Sequence, residues 1–296
     1  MTRPGAVCVV GSLNVDRYIG LARLPQPGET LLGESLGTFP GGKGLNQAVA
    51  AARCGAPVRM VGAVGADADG ALLREAMRSA GVDGADVATV DVPTGVAHVT
   101  LLPGAENSIV VVPGANAALT PDHAVASSEG AAVVLVQLEV DPGVARATLA
   151  AAARTPDVVT VLNAAPVHPD VREMLDDVDI LVVNETEAAA LGGVAALAER
   201  TTVIHTRGAA GLTVHRRGHP PREIPAVAVE AVDTTGAGDA FCGGLVAGIA
   251  RGLSLVEAAR EGAAAGAIVA SHRGAQPDAL SREAVRGRRQ SPSPAN

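Results

Sequence analysis

The chain has 296 residues, enough for one large domain or two small ones with a substantial core. With 48% hydrophobic and 18% charged residues, it is not a chain disordered throughout. A net charge of −8 and an aromatic content of 1% weigh against a nucleic-acid or membrane-surface binder, and against an RNA module that stacks bases on aromatic rings.

In chain order, the first predicted element is a buried strand over 7–10. Residues 15–38 hold no convincing helix. A helix over 44–54, a strand over 58–64 and a helix over 70–80 follow. Residues 94–112 again lack a helix. There the apolar run 96–102, a turn at Pro103-Gly104-Ala105-Glu106-Asn107 and the run Ile109-Val110-Val111-Val112 predict a hairpin. Beyond it, strands over 133–136, 158–162, 180–183 and 202–206 alternate with helices over 142–153 and 185–191. The last third is helical over 238–250 and 254–270, with Ala and Gly that permit close packing. The strands are short and β-branched; the helices are rich in Ala, Leu and Glu at helical spacing. This alternation predicts a mostly parallel sheet with helices on both faces. The two helix-free segments predict a small β-structured flap. One domain is expected over 1–285, and the basic, Ser/Pro-rich residues 286–296 read as a disordered tail.

Cys8, Cys54 and Cys242 lie far apart without a CxxC pair, so they imply no disulfide framework and read as small buried hydrophobes. The N-terminal residues pass directly into a short apolar run, too short for a signal-peptide core. No run approaches the ~20 apolar residues that span a bilayer. A soluble protein of a reducing cytoplasm is expected.

Two stretches invite a phosphate-binding reading. Gly37-Thr38-Phe39-Pro40-Gly41-Gly42-Lys43-Gly44 nearly matches GxxxxGK[ST], but Gly44 lacks the hydroxyl that ligates Mg²⁺, and no clean strand precedes it. No GxGxxG follows the first strand, where Gly11-Ser12-Leu13-Asn14 stands instead. The better site is Asp233-Thr234-Thr235-Gly236-Ala237-Gly238-Asp239-Ala240-Phe241, which opens a helix. Its glycines let backbone N–H groups turn toward an anion at a helix N-terminus. Asp239 in the first turn reads either as part of that site or as a plain N-terminal cap.

Three segments, Gly41-Gly42-Lys43-Gly44-x-Asn46-Gln47-Ala48, Asn184-Glu185-Thr186-Glu187 and Asp233-Thr234-x-Gly236-Ala237-Gly238-Asp239, resemble the three signatures of PfkB-type carbohydrate kinases. Six more resemble, in the same order, the ribokinase group of that family: Gly11-Ser12-x-Asn14-x-Asp16, Pro27-Gly28-Glu29-Thr30, Gly114-Ala115-Asn116-Ala117-Ala118-Leu119, Gln137-Leu138-Glu139, Leu162-Asn163-x-Ala165-Pro166 and Gly274-Ala275-Gln276-Pro277. The likeness spans residues 5–280, and nine motifs in order are far more specific than any one of them.

The resemblance implies a three-layer α/β/α fold with a β-lid, and transfer of the γ-phosphoryl of ATP to O5 of D-ribose. Asn14 and Asp16 would hold sugar hydroxyls. Gly42 and Lys43 would line the same pocket, with Asn46 on another hydroxyl and Glu139 at the anomeric end. Asn184 would lie near the ATP phosphates, and Glu187 would organise Mg²⁺ through water. Thr206, Arg207, Gly208, Ala209, Ala210 and Gly211 would run along the nucleotide, with Ala263 beside the adenine. Gly236, Ala237 and Gly238 would form an anion hole and Asp239 the catalytic base. The family's K⁺ loop would match Asp233, Thr235, Val269, His272, Gly274 and Asp278, and a homodimer through the lid is implied.

Single residues also have local readings: Asn14 and Asp16 as turn residues, Lys43 as a solvated charge, Glu139 as a helix cap before Pro142, and Asn184 with Glu187 as a capping box. Rival functions are another PfkB-type kinase acting on a nucleoside, fructose or a keto-sugar acid, and a catalytically silent sugar-binding regulator. The chain departs from its relatives in three places: the Ala-rich stretch at 206–211, His205 where an apolar residue is usual, and Ala263 where a polar side chain is common.

Overall fold

Val7, Cys8, Val9 and Val10 are all fully buried, as expected of a strand covered on both faces. They form β1 (Val7–Val10). In the computed structural model, which describes residues 5–103 and 107–290, the chain then leaves this layer through β2 (Asn14–Gly20) and β3 (Glu34–Gly41) and returns through α1 (Lys43–Arg53). Next come β4 (Val58–Gly65), α2 (Ala68–Ser79), β5 (Val87–Val90), β6 (Gly95–Leu101) and β7 (Asn107–Val112). A strand–helix alternation follows: α3 (Pro121–Ser128), β8 (Val133–Gln137), α4 (Pro142–Ala153), β9 (Val159–Asn163), α5 (Val171–Met174), β10 (Ile180–Asn184), α6 (Glu185–Ala190), α7 (Val194–Ala198) and β11 (Thr202–Thr206). The short strands β12 (Leu212–His215) and β13 (Arg222–Ile224) precede three helices, α8 (Ala237–Ala250), α9 (Leu255–Ala270) and α10 (Arg282–Gln290).

The large sheet has nine strands in the order β13-β12-β11-β10-β9-β8-β1-β4-β5. All neighbours are parallel except β12 against β11 and β13 against β12. Alternate side chains feed two cores. Val7 and Val9 join Leu45, Val49, Leu245 and Ile268 on one face; Cys8 and Val10 join Leu149, Leu162, Met174 and Leu181 on the other. These are the three layers predicted from the alternation of short β-branched runs with helices. Burial pushes the Cys8 thiol up to about 11 and that of Cys54 up to about 12, so both stay protonated and pack as small hydrophobes.

The predicted flap is a second sheet, β3-β2-β6-β7, in which β2 and β6 run parallel and the outer pairs antiparallel. It starts at Asn14 and ends at Val112. Its surface is apolar: Phe39, Ile109, Val110, Val111 and Val112 are exposed, and Phe39 meets Tyr18 edge-on at 5.5 Å.

One boundary is corrected. Residues 286–290, predicted as tail, belong to α10. The helix holds because Val285 is buried in the core, Ala284 packs beside it and the Ser281 hydroxyl accepts the Ala284 N–H at its start; the basic composition hid these anchors. Residues 291–296 lie outside the described ones. Among the described residues no helix is long and apolar enough to cross a membrane.

Candidate active site

The large sheet carries its polar residues at one end. Gln137, Asn163, Asn184 and Thr206 are the last residues of β8, β9, β10 and β11. Parallel strands bring these carboxyl ends together, and β1 sits where the strand order reverses, between β8 and β4. Open α/β sheets place ligands at that kind of switch point.

The turn after β1 delivers Ser12, and Asn14 and Asp16 are not turn residues but open β2. The Ser12 hydroxyl donates to Glu139 Oε2 at 2.6 Å, and the same oxygen accepts the backbone N–H of Lys43 at 3.0 Å. Glu139 is therefore not the cap of α4, because Asp141 accepts the Gly143 N–H at 2.7 Å and does that work. Asn14 is buried and its Oδ1 accepts from Asn116 Nδ2 at 2.8 Å. Asn116 also accepts the Leu13 N–H at 2.8 Å, so it orients the turn as well as the side chain. The carboxylate of Asp16 lies under Gly41, where a Cβ would come 2.2 Å from Oδ2. Gly42 has φ +89 and room for no side chain, since its Cβ would stand 2.8 Å from the Asn14 nitrogen. The glycines of this segment are thus what lets β3 and α1 close over Asn14 and Asp16.

Asp239 enters from the first turn of α8, whose N-cap Gly236 is left-handed at φ +73. Its Oδ2 accepts from Asn46 Nδ2 at 3.1 Å and its Oδ1 from Gln47 Nε2 at 3.0 Å. No side chain caps α8, so Asp239 is aimed at these amides and not at its own helix end.

The acidic groups shape each other's charge. Burial, then the charges of Glu139 and Asp239, raise the Asp16 carboxyl to about 7. Burial also raises Asp239, although Lys43, Gln47 and Asn46 hold it down and Glu139 adds to the rise. For Lys43, burial works against the charge, but Asp239, Glu139 and Glu187 outweigh it and hold the ammonium above its ordinary value. Asn14, Asp16, Gly42, Lys43, Asn46, Glu139 and Asp239 are therefore brought into one polar cluster beside the flap.

The second half is open and small-sided. Asn184 and Glu187 form the predicted capping box at the start of α6, each donating a backbone N–H to the other's side chain at 2.8 Å. Thr206 and Arg207 are half-buried, Gly208, Ala209 and Ala210 are exposed in a single helical turn, and Gly211 is buried at φ +84. Arg207 pairs with Glu223. Ala263 is half-buried on α9 and packs against the core. Gly238, next to Asp239, would carry a Cβ into open space, with nothing within 4 Å.

Beside this mouth, Asp233 accepts the N–H groups of Thr235 and Gly274, both at 2.9 Å. Burial alone would raise its carboxyl, but those N–H groups and the Thr235 hydroxyl hold it below the ordinary value. His272 turns its Nδ1 to the Ile268 carbonyl at 2.8 Å, and Val269 is buried in α9. Asp278 does not join them: its carboxylate is fully exposed and pairs with Arg53 at 2.9 Å, because Arg53 also holds the Gln276 and Pro277 carbonyls at 2.7 Å. Sequence motifs contained Ser12, Gln47, Asn116, Asn163 and Gln276 without a role; only the folded chain shows them holding Glu139, Asp239, Asn14 and Asn46.

The sequence matches the pfkB family carbohydrate kinases over residues 5–282. It is 39% identical to the ribokinase of Haemophilus influenzae over 288 residues, covering 90% of this chain and 93% of that protein. It is 37% identical to the ribokinase of Bacillus subtilis over 263 residues, covering 86% and 89%. The structure of Arabidopsis thaliana ribokinase complexed with ribose and ATP superposes with a TM-score of 0.87 at 33% identity, covering 98% of this chain and all of that one. With the nine-stranded layer, the four-stranded flap and the polar cluster already in place, the chain belongs to the pfkB family of carbohydrate kinases.

Proposed function

We propose that this chain transfers the γ-phosphoryl of ATP to O5 of D-ribose, giving ribose 5-phosphate and ADP. The observation that carries the reading is the buried Asp239 carboxylate, gripped by Asn46 and Gln47 in a cluster of carboxylates and amides and one residue after Gly238, whose Cβ would meet nothing within 4 Å. Sugar hydroxyls both donate and accept, so convergent Asn14, Asp16, Asn46 and Glu139 suit them. The apolar and aromatic walls that a nucleobase wants are not what these residues offer, which favours a sugar over a nucleoside. The relatives at 39% and 37% identity are ribokinases, which supports the same substrate.

In this reading the O5 oxygen attacks the γ-phosphorus as its proton passes to Asp239, and the bond to the bridging oxygen of ADP breaks. A base held above its ordinary value is better matched to that proton. The N–H groups at Gly236, Ala237 and Gly238 face the charge that builds on the transferring group. The remaining work is positioning and exclusion of water by the lid.

Two ions are implied. Glu187 offers one hard carboxylate beside Asn184, which fits a Mg²⁺ that keeps most of its ligands as water and substrate phosphate. When bound, that ion neutralises charge on the phosphates. Asp233, with the backbone of Thr235, Val269, His272 and Gly274, fits a large, weakly hydrated cation such as K⁺, since a single carboxylate kept ionised by two N–H groups anchors the loop. The exposed apolar strand β7 and the exposed Phe39 on the other edge strand, β3, fit a second copy of the chain across the lid, and the setting is cytoplasmic.

The test is ADP release measured over a panel of D-ribose, other pentoses, fructose and nucleosides. The reading expects the highest kcat/KM for D-ribose. A nucleoside or fructose turned over faster would overturn it.

A further inference from the structure

We infer that Gln47 is a positioning residue for Asp239, presenting a fixed N–H to one carboxylate oxygen through a buried amide chain that starts at β10. The inference rests on Asp239 being the base. Gln47 is fully buried on α1, and its Nε2 lies 3.0 Å from Asp239 Oδ1 and 3.0 Å from Asn163 Oδ1. Asn163, at the end of β9, directs its own Nδ2 to the Val182 carbonyl in β10 over a long 3.5 Å. A backbone carbonyl can only accept, so Asn163 must turn its oxygen to Gln47, and Gln47 must turn its nitrogen to Asp239. The reversed amide would set an oxygen against two acceptors. The polarity of the whole chain is thus set by the sheet.

The helices are spaced to keep it so. Gly243, one turn beyond Asp239 on α8, lies so close to α1 that a Cβ would stand 2.7 Å from the Gln47 carbonyl. The other carboxylate oxygen is held by Asn46, whose Oδ1 accepts from Gln276 at 2.8 Å. Asn46 keeps a little exposure, whereas Gln47 has none. Gln47 Oε1 is buried and accepts from no described residue. A side chain placed for stability alone would be apolar, which argues that the N–H is retained for what it does to Asp239. The charged and titratable groups facing Asp239 are Lys43 from α1, Glu139 after β8 and Asp16 from β2, with Cys242 on its own helix. Gln47 adds to these a neutral donor that favours the ionised carboxylate.

Gln47→Met keeps length and packing and removes both N–H groups. The expected result is folded protein with a melting temperature at or above that of the parent chain and a KM for ribose within about threefold. Its kcat should be lower by about 10- to 100-fold, the worth of a hydrogen bond to a charged group. The acid limb of the kcat–pH profile should move to higher pH, because the carboxylate has lost a donor that favours its ionised form. Asn163→Leu leaves Gln47 in place and frees its amide to turn; it should move the limb in the same direction by less. A limb that stays in place in both variants overturns the inference, as does an unchanged kcat in Gln47→Met. Asp239→Asn, measured alongside, separates the two ideas: full activity there would remove the base assignment itself, whereas its loss with unaffected Gln47 and Asn163 variants removes only the positioning role.

Discussion

The two halves of the proposed site are built from opposite materials. The sugar half is made of buried and half-buried charged and amide side chains, most of them tied to a partner: Glu139 to Ser12 and Lys43, Asn14 to Asn116, Asp239 to Asn46 and Gln47. The nucleotide half is made of Gly208, Ala209, Ala210, Gly238 and Ala263, with backbone and open space where side chains would be. Hydroxyls need directional partners, but phosphates can be held by backbone N–H groups and a helix end. Side-chain changes should therefore separate cleanly by half, and the separation can be broken at named residues.

The largest effect is expected at the junction. Asp239→Asn keeps the shape of the carboxylate and removes the base, so kcat should fall by ~10²–10⁴, with ribose affinity changed far less. Steady-state kinetics on both substrates would check this; a variant retaining more than half of the parent kcat removes Asp239 from the chemistry.

Next comes Asp16→Ala, which touches the sugar half alone. A charged acceptor lost from buried hydroxyls is worth about 1.5–3 kcal/mol each, so the KM for ribose should rise at least tenfold. The KM for ATP should stay near that of the parent chain. Equal rises in both would erase the division between the halves.

That division also explains what the sequence disclosed. The main sheet, the flap and the principal helices were legible because buried parallel strands are short β-branched runs and the helices carry their own spacing. Asp239, Asn14 and Asp16 were legible because a sugar pocket needs charged and amide side chains, and these stand in recognisable segments. The helix at 286–290 was not, since its apolar anchors, Ala284 and Val285, are two residues beside a basic stretch. Nor were the holders legible. Nothing in the order of residues says that Gln276 reaches Asn46 across 230 positions, or that Asp278 turns to Arg53 and solvent. In the nucleotide half a row of Gly and Ala carries little information until its backbone is placed.

On that half, glycine substitutions sharpen the contrast. Gly238→Ala puts a methyl where the protein has nothing within 4 Å, so the fold should be unaffected, while the KM for ATP rises about tenfold, as for one overcrowded contact. Gly236→Ala differs, since φ is +73 and the new Cβ would meet that of Ala275 at 2.5 Å. It should destabilise the chain by about 1–3 kcal/mol, visible in thermal unfolding without any ligand. Ordinary stability in Gly236→Ala would mean that the anion hole is softer than its geometry implies.

A smaller effect tests the sugar half by pH. In the free protein the Asp16 carboxyl sits at about 7, against 3.8 for the ordinary side chain. Between those values the folded chain holds a proton that the unfolded chain has released, so the free protein should lose stability as pH rises from 4 to 7. Sugar hydroxyls donate to the ionised form, so the KM for ribose should fall about five- to tenfold between pH 6 and 8. Asp16→Asn should flatten both trends. A KM that is level across this interval in the parent chain would show that Asp16 is already ionised, or that it does not touch the sugar.

The smallest effect separates two jobs held by one residue. Asn184 caps α6 and is also proposed to stand near the ATP phosphates. Asp caps as well as Asn, so Asn184→Asp should melt near the temperature of the parent chain, while Asn184→Ala loses about 1 kcal/mol, or roughly 2 °C in a domain of this size. The kinetics should rank them the other way. Asn184→Asp sets a new negative charge beside bound phosphates, so the KM for ATP should rise about three- to tenfold at low salt, and less at high salt. Asn184→Ala removes a neutral contact and should change it less. If the variants rank alike in melting and in ATP affinity, Asn184 is a helix cap and nothing more. If they cross, Asn184 joins Glu187 as a side chain that works in the nucleotide half, and the contrast with the sugar half is one of degree.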